Sequence, residues 1–260
     1  MTQLNRVDRS AMLTHASLVL ISIAIGALVG AAGVGGFFMP PALMLLMDMD
    51  IHRSMATSLF TFIFTGVAGA CYFHRKGSID WSLVQPVCIG AATTGFAGAW
   101  IGHHLGTAML SLVLAAVILI AGIYTLSSGG VHAGLRMPSD AGRRWQMLAA
   151  IGAVTGFLSG LTGIGGPALS VPLMVLCGYS VLTAIGVGQV LQIVGALSGT
   201  LANLHYVDID YTLAAFIAVF EIVGVLCGAF IIHRIDAALI KRLVGGLCLV
   251  AGFTFILRTL

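Results

Sequence analysis

Charged side chains are scarce in this chain of 260 residues, at 8% of the sequence against 59% hydrophobic residues. A soluble domain carries about a quarter charged residues, so this chain cannot cover a water-facing surface with charge. No Asp, Glu, Lys or Arg occurs between Arg144 and Asp208. Because about 20 apolar residues cross a bilayer, that stretch alone holds more than one span. The composition predicts a protein dissolved in lipid, and the small net charge of +3 does not indicate a nucleic-acid partner.

The sequence also lacks the common signatures of catalysis, metal binding and disulfide bonding. Its five cysteines show no CxxC or Cys/His ligand spacing, so they are predicted to be small buried hydrophobic residues. There is no GxxxxGK[ST] motif for ATP, no HExxH and no GxSxG. The run Asp48, Asp50, His52 and Arg53 is interpreted as a polar loop rather than a metal site. We therefore predict a protein that is not an enzyme and has no cofactor and no metal ion.

The hydrophobic residues are grouped in eight segments long enough to cross a bilayer. Glu221 is the one carboxylate inside them, and no lysine or arginine lies in their interior. Two further apolar pieces, 39–48 and 169–177, are too short to cross alone. The first segment follows Arg6 and Arg9 as in a signal peptide, but it is too long and recurs in the second half, so it is interpreted as a span. The eight segments are approximately 16–37, 53–73, 82–102, 107–128, 147–168, 182–203, 212–232 and 243–257.

Two homologous halves of about 130 residues make up the sequence. A shift of 130 positions aligns Asp80 with Asp210 and His103 with His233. One offset that serves nearly a whole half indicates a duplicated membrane bundle, a common transporter plan. We predict an all-α polytopic membrane protein with eight full spans plus two short broken-helix segments, or 8–10 membrane segments. The predicted divisions are a first membrane repeat over 1–128, a cytoplasmic linker over 129–146 and a second membrane repeat over 147–260.

Two topologies fit the distribution of basic residues. If each short apolar piece belongs to one broken crossing, each half has four spans and the repeats are parallel. If each piece completes its own crossing, each half has five spans and the repeats are inverted. With the N-terminus inside in the first case and outside in the second, eight basic residues are cytoplasmic against four outside. Both arrangements place the linker in the cytoplasm.

A glycine-rich tract followed by proline occurs once in each half, from Gly26 to Pro41 and from Gly156 to Pro172. Clustered Gly and Pro destabilise a helix, and irregular backbone at membrane depth occurs where protein or a wet cavity satisfies it. We predict two discontinuous helices whose free N–H groups, at the start of the second half-helix, cradle an anion. The alternative is close helix packing by small residues. The candidate substrate-binding residues of the two tracts are Gly33, Gly35, Gly36, Pro40, Gly163, Gly165, Gly166 and Pro167.

These motifs resemble a known family. A Gly-x-Gly-Gly break with Pro and an apolar run, present twice, together with Ala56-Thr57-Ser58 and the tract 77–81, is similar to the sulfite exporter TauE/SafE family of bacterial membrane proteins. The resemblance covers nearly the whole chain and implies export or uptake of sulfite, sulfonates and related small anions. After a shift of two residues, the second half has Ala184-Ile185-Gly186 in place of Ala56-Thr57-Ser58, so the hydroxyls are not used symmetrically.

Polar side chains form a stripe within the spans. Ser58, Thr61 and Thr65 share one helix face. With the same two-residue shift, Gln189 takes the place of Thr61, and Gln192 follows three residues later. Such groups either bond the backbone and neighbouring helices or line a wet cavity. Thr57, Ser58, Thr61, Gln189 and Gln192 are added to the candidate substrate-binding residues.

Glu221 is the candidate proton-coupling residue. Intramembrane carboxylates are rare and usually face the bundle interior. Such a group could take up and release a proton, or it could remain a neutral acid hydrogen-bonded to a neighbouring helix. Its aligned position in the first half is Ala91, so the site is asymmetric. Asp80 and Asp210 are predicted helix N-caps, and His103 and His233 are predicted interfacial groups or ligands of helix-end carbonyls.

The sequence as a whole predicts a secondary transporter, an exporter of small sulfur-containing or organic anions such as sulfite or sulfonates, coupled to protons or another ion. Its expected location is the bacterial inner membrane, where it spans the bilayer several times. The expected partners are the small anion, the lipid bilayer, a coupling proton or cation and a second copy in a homodimer. A passive anion channel and a membrane-embedded enzyme are the alternatives.

Overall fold

The computed structural model describes residues 2–127 and 140–234, together with Gly246, Leu249, Val250 and Phe253. Every regular element in these residues is helical, which confirms the all-α polytopic prediction. A short 3-10 turn, Gly36–Phe38, precedes the second helix. The helices are α1 (Thr2–Ala32), α2 (Met39–Met47), α3 (Ile51–Arg75), α4 (Trp81–His104), α5 (Thr107–Ser127), α6 (Ala141–Thr162), α7 (Pro167–Leu176), α8 (Val181–Asn203) and α9 (Tyr211–Ile232).

Five of the described helices are long and apolar enough to cross a membrane: α1 from Leu13, α3, α6, α8 and α9. The predicted spans at 82–102 and 107–128 correspond to α4 and α5, and the predicted span at 243–257 lies outside the described residues apart from single positions. The total of eight spans therefore stays a prediction. So do the repeat boundaries, although the last residues of the predicted linker already belong to α6 and 129–139 lie outside the described residues.

Capping residues fix where the helices begin. The Asp50 carboxylate accepts a hydrogen bond from the N–H of Arg53, and the Ser180 hydroxyl accepts one from that of Thr183. Asp80 and Asp210 cap α4 and α9 in the same way, as predicted. Each cap satisfies a first-turn donor that has no partner within the helix.

Helices from opposite halves interlock through glycine. Gly26 and Gly30 of α1 lie against the α9 backbone at Glu221 and Val225, and Gly224 and Gly228 of α9 lie against α1 in return. The same arrangement joins α4 to α6, where the described glycines in contact are Gly90, Gly98, Gly102, Gly152, Gly156 and Gly160. Since α6 repeats α1 and α9 repeats α4, the first helix of each half packs in parallel against the fourth helix of the other.

Equivalent helices run in opposite directions. Along the α3–α8 contact, Leu59 meets Gly199, whereas Gly69 meets Gln189, so these helices are antiparallel. An antiparallel pair of equivalent helices corresponds to a two-fold axis in the membrane plane, as in inverted repeats. The short helices α2 and α7, of 9 and 10 residues, are however too short to complete the crossings of their own that the inverted arrangement predicted. We call the end where α3 begins and α4 finishes the pocket end, and the end where α3 finishes and α6 begins the linker end.

The predicted two-residue shift between α3 and α8 is wrong. Gly163 packs against Met55, and its repeat equivalent Gly33 packs against Ile185, so the offset between the helices is 130 residues. The caps Asp50 and Ser180 keep the same offset. The two-residue shift aligns Ala56 with Ala184, whereas the packing preserves the glycine contacts at the offset of 130. At this offset Gln192 is the repeat equivalent of Phe62 in α3, and Gln189 is not the equivalent of Thr61.

The interlock predicts opposite effects of two glycine-to-alanine substitutions. A Cβ at Gly152 would collide with the backbone carbonyl of Val87, whereas a Cβ at Gly195 would meet the Ser159 hydroxyl at an ordinary 3.8 Å. Overpacking costs about 1–3 kcal/mol, while alanine gains about 1 kcal/mol over glycine in an open helix position. We expect Gly152→Ala to lower the unfolding temperature in detergent and Gly195→Ala to leave it unchanged or raise it. Equal shifts in the two variants would contradict the α4–α6 contact.

Candidate functional site

Both predicted helix breaks are present. In the first half, α1 ends at Ala32, Gly33 takes a φ of 69°, and the chain turns back at Gly35 onto the α1 backbone between Ile25 and Val29. Helix α2 then starts at Met39, so it is a re-entrant half-helix beside α1. Residues 31–37 are all buried, which places the break inside protein. The left-handed turn at Gly33 is available to glycine because it has no Cβ.

The second break repeats this geometry with one more left-handed residue. Gly163 ends α6 with a φ of 67° and donates its N–H to the carbonyl of Ser159. Gly165 has a φ of 82°, and Pro167 starts α7 after Gly166. Residues 161–168 are all buried.

The two breaks meet each other in the centre of the bundle. A Cβ on Gly36 would strike the carbonyl oxygen of Ile164 in the other break and would lie 3.1 Å from the ring of Phe62. A Cβ on Gly165 would lie 3.2 Å from the same ring, and one on Gly166 would strike Leu191. Gly36 and Gly165 are thus brought together around Phe62, while Gly166 lies against Leu191.

The remaining tract residues lie around this centre. Gly33 packs against Val171 of α7, and Pro167 lies beside Gly188 of α8. Gly163 packs on Met55 of α3. Pro40 is buried at the start of α2. Gly35, by contrast, faces α1 and does not join the centre, because the reversal of the chain turns it there.

Backbone donors collect in the breaks rather than in the half-helices. Prolines at the starts of α2 and α7 have no N–H, so these first turns offer fewer donors than predicted, although Ala168 and Leu169 of α7 keep theirs. Among the described backbone hydrogen bonds outside the helices, none is donated by the break residues Val34, Gly35, Gly36, Ile164, Gly165 or Gly166. Buried backbone donors are nearly always paired, so this concentration suits an anionic acceptor.

Hydroxyls on α3 mostly bond their own helix. Ser58 donates to the carbonyl of Ser54 at 2.7 Å, Thr61 to that of Ser58 at 3.0 Å and Thr65 to that of Phe62 at 3.3 Å. The Thr57 hydroxyl, fully buried, has no partner among the described residues.

The two glutamines cross between the halves. Gln192 donates to the Phe62 carbonyl at 3.1 Å and to the Thr65 hydroxyl at 2.8 Å. Gln189 donates to the carbonyl of Val29, at the end of α1, at 3.2 Å. Its Oε1 is buried against Gly69 and has no hydrogen-bond partner in the described part of the chain. Gln189 therefore ties the end of α1 to α8, and Gln192 ties α3 to α8.

Glu221 lies in the middle of α9 and is 1% exposed. Neither carboxylate oxygen makes a hydrogen bond of good geometry within the described residues, although the Thr61 side chain approaches it. A buried carboxylate without a partner is strongly unfavourable, so this group is held as a neutral acid unless its surroundings change. Thr61 of α3 is the candidate partner for the hydrogen bond that the structural alternative for Glu221 requires.

A polar pocket of about 400 Å³ opens at the pocket end. The His103 ring stacks on Tyr206 at 4.1 Å and lies 5.6 Å from the His52 ring. Arg53 donates from Nε to the carbonyl of Asp208 at 3.3 Å. The pKa of His103, which lies beyond the predicted span at 82–102, is lowered by burial and then by the neighbouring imidazoles of His52 and His104. At the linker end, His233 contacts the carbonyl of Ala229, as predicted for a helix-end ligand.

Sequence reasoning missed Phe62 and the Ile164 carbonyl. A phenylalanine inside a span carries no polar signal, so it is indistinguishable from a lipid-facing or core residue. The offset of 130 was the available clue: Gln192 is the repeat equivalent of Phe62 and bonds to it, as residues on a two-fold axis do.

Comparison with known proteins identifies the family. The family model described as "Sulfite exporter TauE/SafE" matches residues 3–125 and 147–260. The chain belongs to the TauE/SafE family. TauE/SafE-like relatives include "Probable membrane transporter protein YdhB" of Bacillus subtilis, 26% identical over 82% of this chain and 87% of the relative.

Two further relatives carry the same kind of name. "Probable membrane transporter protein YjnA" of Bacillus subtilis is 25% identical over 92% of this chain and 99% of its own length. "Probable membrane transporter protein MJ0441" of Methanocaldococcus jannaschii is 24% identical over 75% and 79%. No solved structure matches this TauE/SafE chain. Together with the helical bundle, these relatives indicate a multi-pass membrane transporter.

Proposed function

We propose that this protein is a secondary transporter that exports small sulfur-containing or organic anions, such as sulfite or sulfonates, with a proton as the coupling ion. The observation that carries the proposal is the meeting of the two buried helix breaks at Gly36 and Ile164, around Phe62. The breaks come from halves of opposite orientation, so the centre where they meet can be approached equally from both sides of the membrane. This is the position of substrate sites in inverted-repeat transporters.

Charge at the centre is balanced without a cation from the protein. No lysine or arginine lies in the interior of the spans, whereas the breaks that meet at the centre carry N–H groups that donate no bond among the described backbone hydrogen bonds outside the helices. Partial positive charge at such donors favours an anion of one or two charges. The amides of Gln189 and Gln192 and the Thr57 hydroxyl supply further hydrogen bonds when the breaks separate.

The membrane orientation follows from basic residues. More basic residues lie at the linker end than at the pocket end. The linker end has Arg75, Lys76, Arg143, Arg144 and Arg234, whereas the pocket end has Arg53, together with Arg6 and Arg9 at the start of α1. The linker end is therefore cytoplasmic and the pocket end faces outward in the bacterial inner membrane.

Reconstitution tests the proposal directly. The purified protein in liposomes is supplied with sulfite, sulfoacetate, thiosulfate or a simple carboxylate, with and without a pH gradient. We expect flux of a sulfur-containing anion that the gradient accelerates. Rapid flux that no gradient changes would instead establish a passive channel, and absence of flux for every anion would contradict the transporter assignment.

A further inference from the structure

We propose that Glu221 exchanges its proton with the outward-facing pocket through a file of buried hydroxyls on α3, formed by Ser54, Thr57 and Thr61. This inference deepens the proposed function and rests on it for the coupling role of Glu221. It adds the route, the residues that form it and the side of the membrane that the route opens to.

The first support is unused hydrogen-bonding capacity in the interior. The Ser54 and Thr57 hydroxyls are 0% exposed, and neither has a partner within the described residues. The carboxylate oxygens of Glu221 are also buried and have no hydrogen-bond partner within the described residues. Since buried polar groups are nearly always hydrogen-bonded, such unpartnered groups suit bound water and a mobile proton.

The second support is their alignment. Positions 54, 57 and 61 lie on one face of α3 and cover about 10 Å along its axis. The file begins directly after Arg53, which lines the pocket with His52 and Asp50. It ends at Thr61, the hydroxyl that approaches the Glu221 carboxyl. One end is thus beside the titratable groups of the polar pocket, and the other is beside the acid.

The third support is a coordinated asymmetry between the halves. At the offset of 130, the hydroxyl positions of α3 correspond to Ala184, Val187 and Leu191 of α8. Glu221 corresponds to Ala91 of α4. At these positions the α3–α9 interface carries polar side chains on both helices, whereas the corresponding positions of the α8–α4 interface are apolar. A structural need for hydroxyls would act on both interfaces, so the polar set belongs to a function of Glu221.

The fourth support is that the file of hydroxyl side chains extends from Glu221 toward the pocket end. Toward the linker end, residues 222–232 of α9 and 27–32 of α1 are apolar residues, glycines and a cysteine. Beyond Thr65 in this direction α8 presents Gln189, against Gly69, and its amide neither takes up nor releases protons. In the arrangement described here, the proton of Glu221 therefore exchanges with the pocket end.

Other titratable groups on the helices around Glu221 are remote from it. On α1, the residues Arg6, Asp8 and Arg9 lie in the first turns, and the ring of His15 contacts Phe216 at 6.4 Å near the start of α9. The ionisable groups on α3 lie at its two ends, and α2 has none. On α9, Asp210 and Tyr211 are at the first turn, Cys227 is exposed and His233 follows the last turn.

Proton transfer along the file leaves the hydroxyls chemically unchanged. A proton from pocket water or an imidazolium binds one hydroxyl oxygen, which releases its own proton to the next group. Water between hydroxyls carries the proton across the longer steps. The last transfer converts the Glu221 carboxylate to the neutral acid, and release of the proton reverses the sequence.

A pH jump with time-resolved infrared spectroscopy tests the route without any transported substrate. The full-length protein in lipid nanodiscs is used, and the carboxyl band of Glu221 is assigned by its loss in Glu221→Gln. We expect Thr57→Val and Ser54→Ala to slow protonation by about tenfold without changing its final extent, since each removes one relay group. Thr57→Ser keeps the hydroxyl and should retain the wild-type rate.

The matched control is Ser159→Ala, which removes another buried hydroxyl without a partner, on α6. Its rate should stay within about twofold of wild type, because it lies outside the file. Wild-type rates in both Ser54→Ala and Thr57→Val would overturn the route, as would equal slowing in Ser159→Ala. If Thr57→Val does not fold, Ser54→Ala decides. Failure of the proposed function would appear separately, as gradient-independent flux by the wild-type protein.

Discussion

Gly165→Val should reduce anion flux by about a hundredfold or more while leaving the protein inserted in the membrane, because small displacements of a binding group have effects of this size. Gly165 has a φ of 82°, where a side chain adds about 1–2 kcal/mol of strain. Its Cβ would press on Phe62, the ring around which both breaks meet. The measurement is initial flux into liposomes, normalised to the amount of protein incorporated.

Gly178→Val provides the matched control for this substitution. Gly178 has a φ of 87°, so valine meets the same backbone strain, but no atom lies within 4 Å of the added Cβ. We expect this variant to lose some stability and to keep most of its flux. Similar loss of flux in both variants would mean that strain alone is responsible, and the meeting of the breaks at Phe62 would then have no functional meaning.

Glu221→Gln should abolish the acceleration of flux by a pH gradient. Glutamine is permanently neutral and close in shape to the protonated acid, so the variant resembles a transporter that never releases its proton. Exchange of labelled for unlabelled anion, which requires no net proton movement, should continue at a rate within about threefold of wild type. The ratio of flux with and without the gradient is the quantity to measure, and it should fall to one.

Asp210→Asn is the corresponding control on the same helix. Asp210 caps α9 through the N–H groups of Thr212 and Leu213, and asparagine caps a helix about as well as aspartate. This variant also replaces a carboxylate by an amide, so it should keep the wild-type gradient dependence. An unchanged gradient dependence in Glu221→Gln would remove the proton role from this residue.

The broken helices were predictable because glycine and proline act locally. Gly33, Gly163 and Gly165 adopt left-handed conformations that glycine takes at little cost, and Pro40 and Pro167 begin the half-helices. The direction of α2 was not predictable, since the reversal at Gly35 depends on the α1 backbone being available to receive it. The distribution of basic residues fits two topologies because it does not show whether the chain reverses between α1 and α2.

The composition of the candidate site was only partly readable. Gln192 was singled out as a buried amide, and its bond to Thr65 links it to the α3 stripe. Phe62 was not singled out, because an apolar residue becomes central only once two halves are packed around it. The roles of these residues in binding stay predictions until flux is measured.

The exchange of glycine contacts between the halves also constrains how the protein is made. Helix α1 is synthesised first, yet its glycine face is covered by α9, nearly 200 residues later in the chain. The glycine face of helix α4 likewise stays uncovered until α6 has been synthesised. The early helices must therefore persist in the bilayer with their close-packing faces against lipid or the insertion machinery. Assembly of the bundle can be completed only after most of the chain has left the ribosome, so premature termination before α9 should yield a product for membrane quality control rather than a working half.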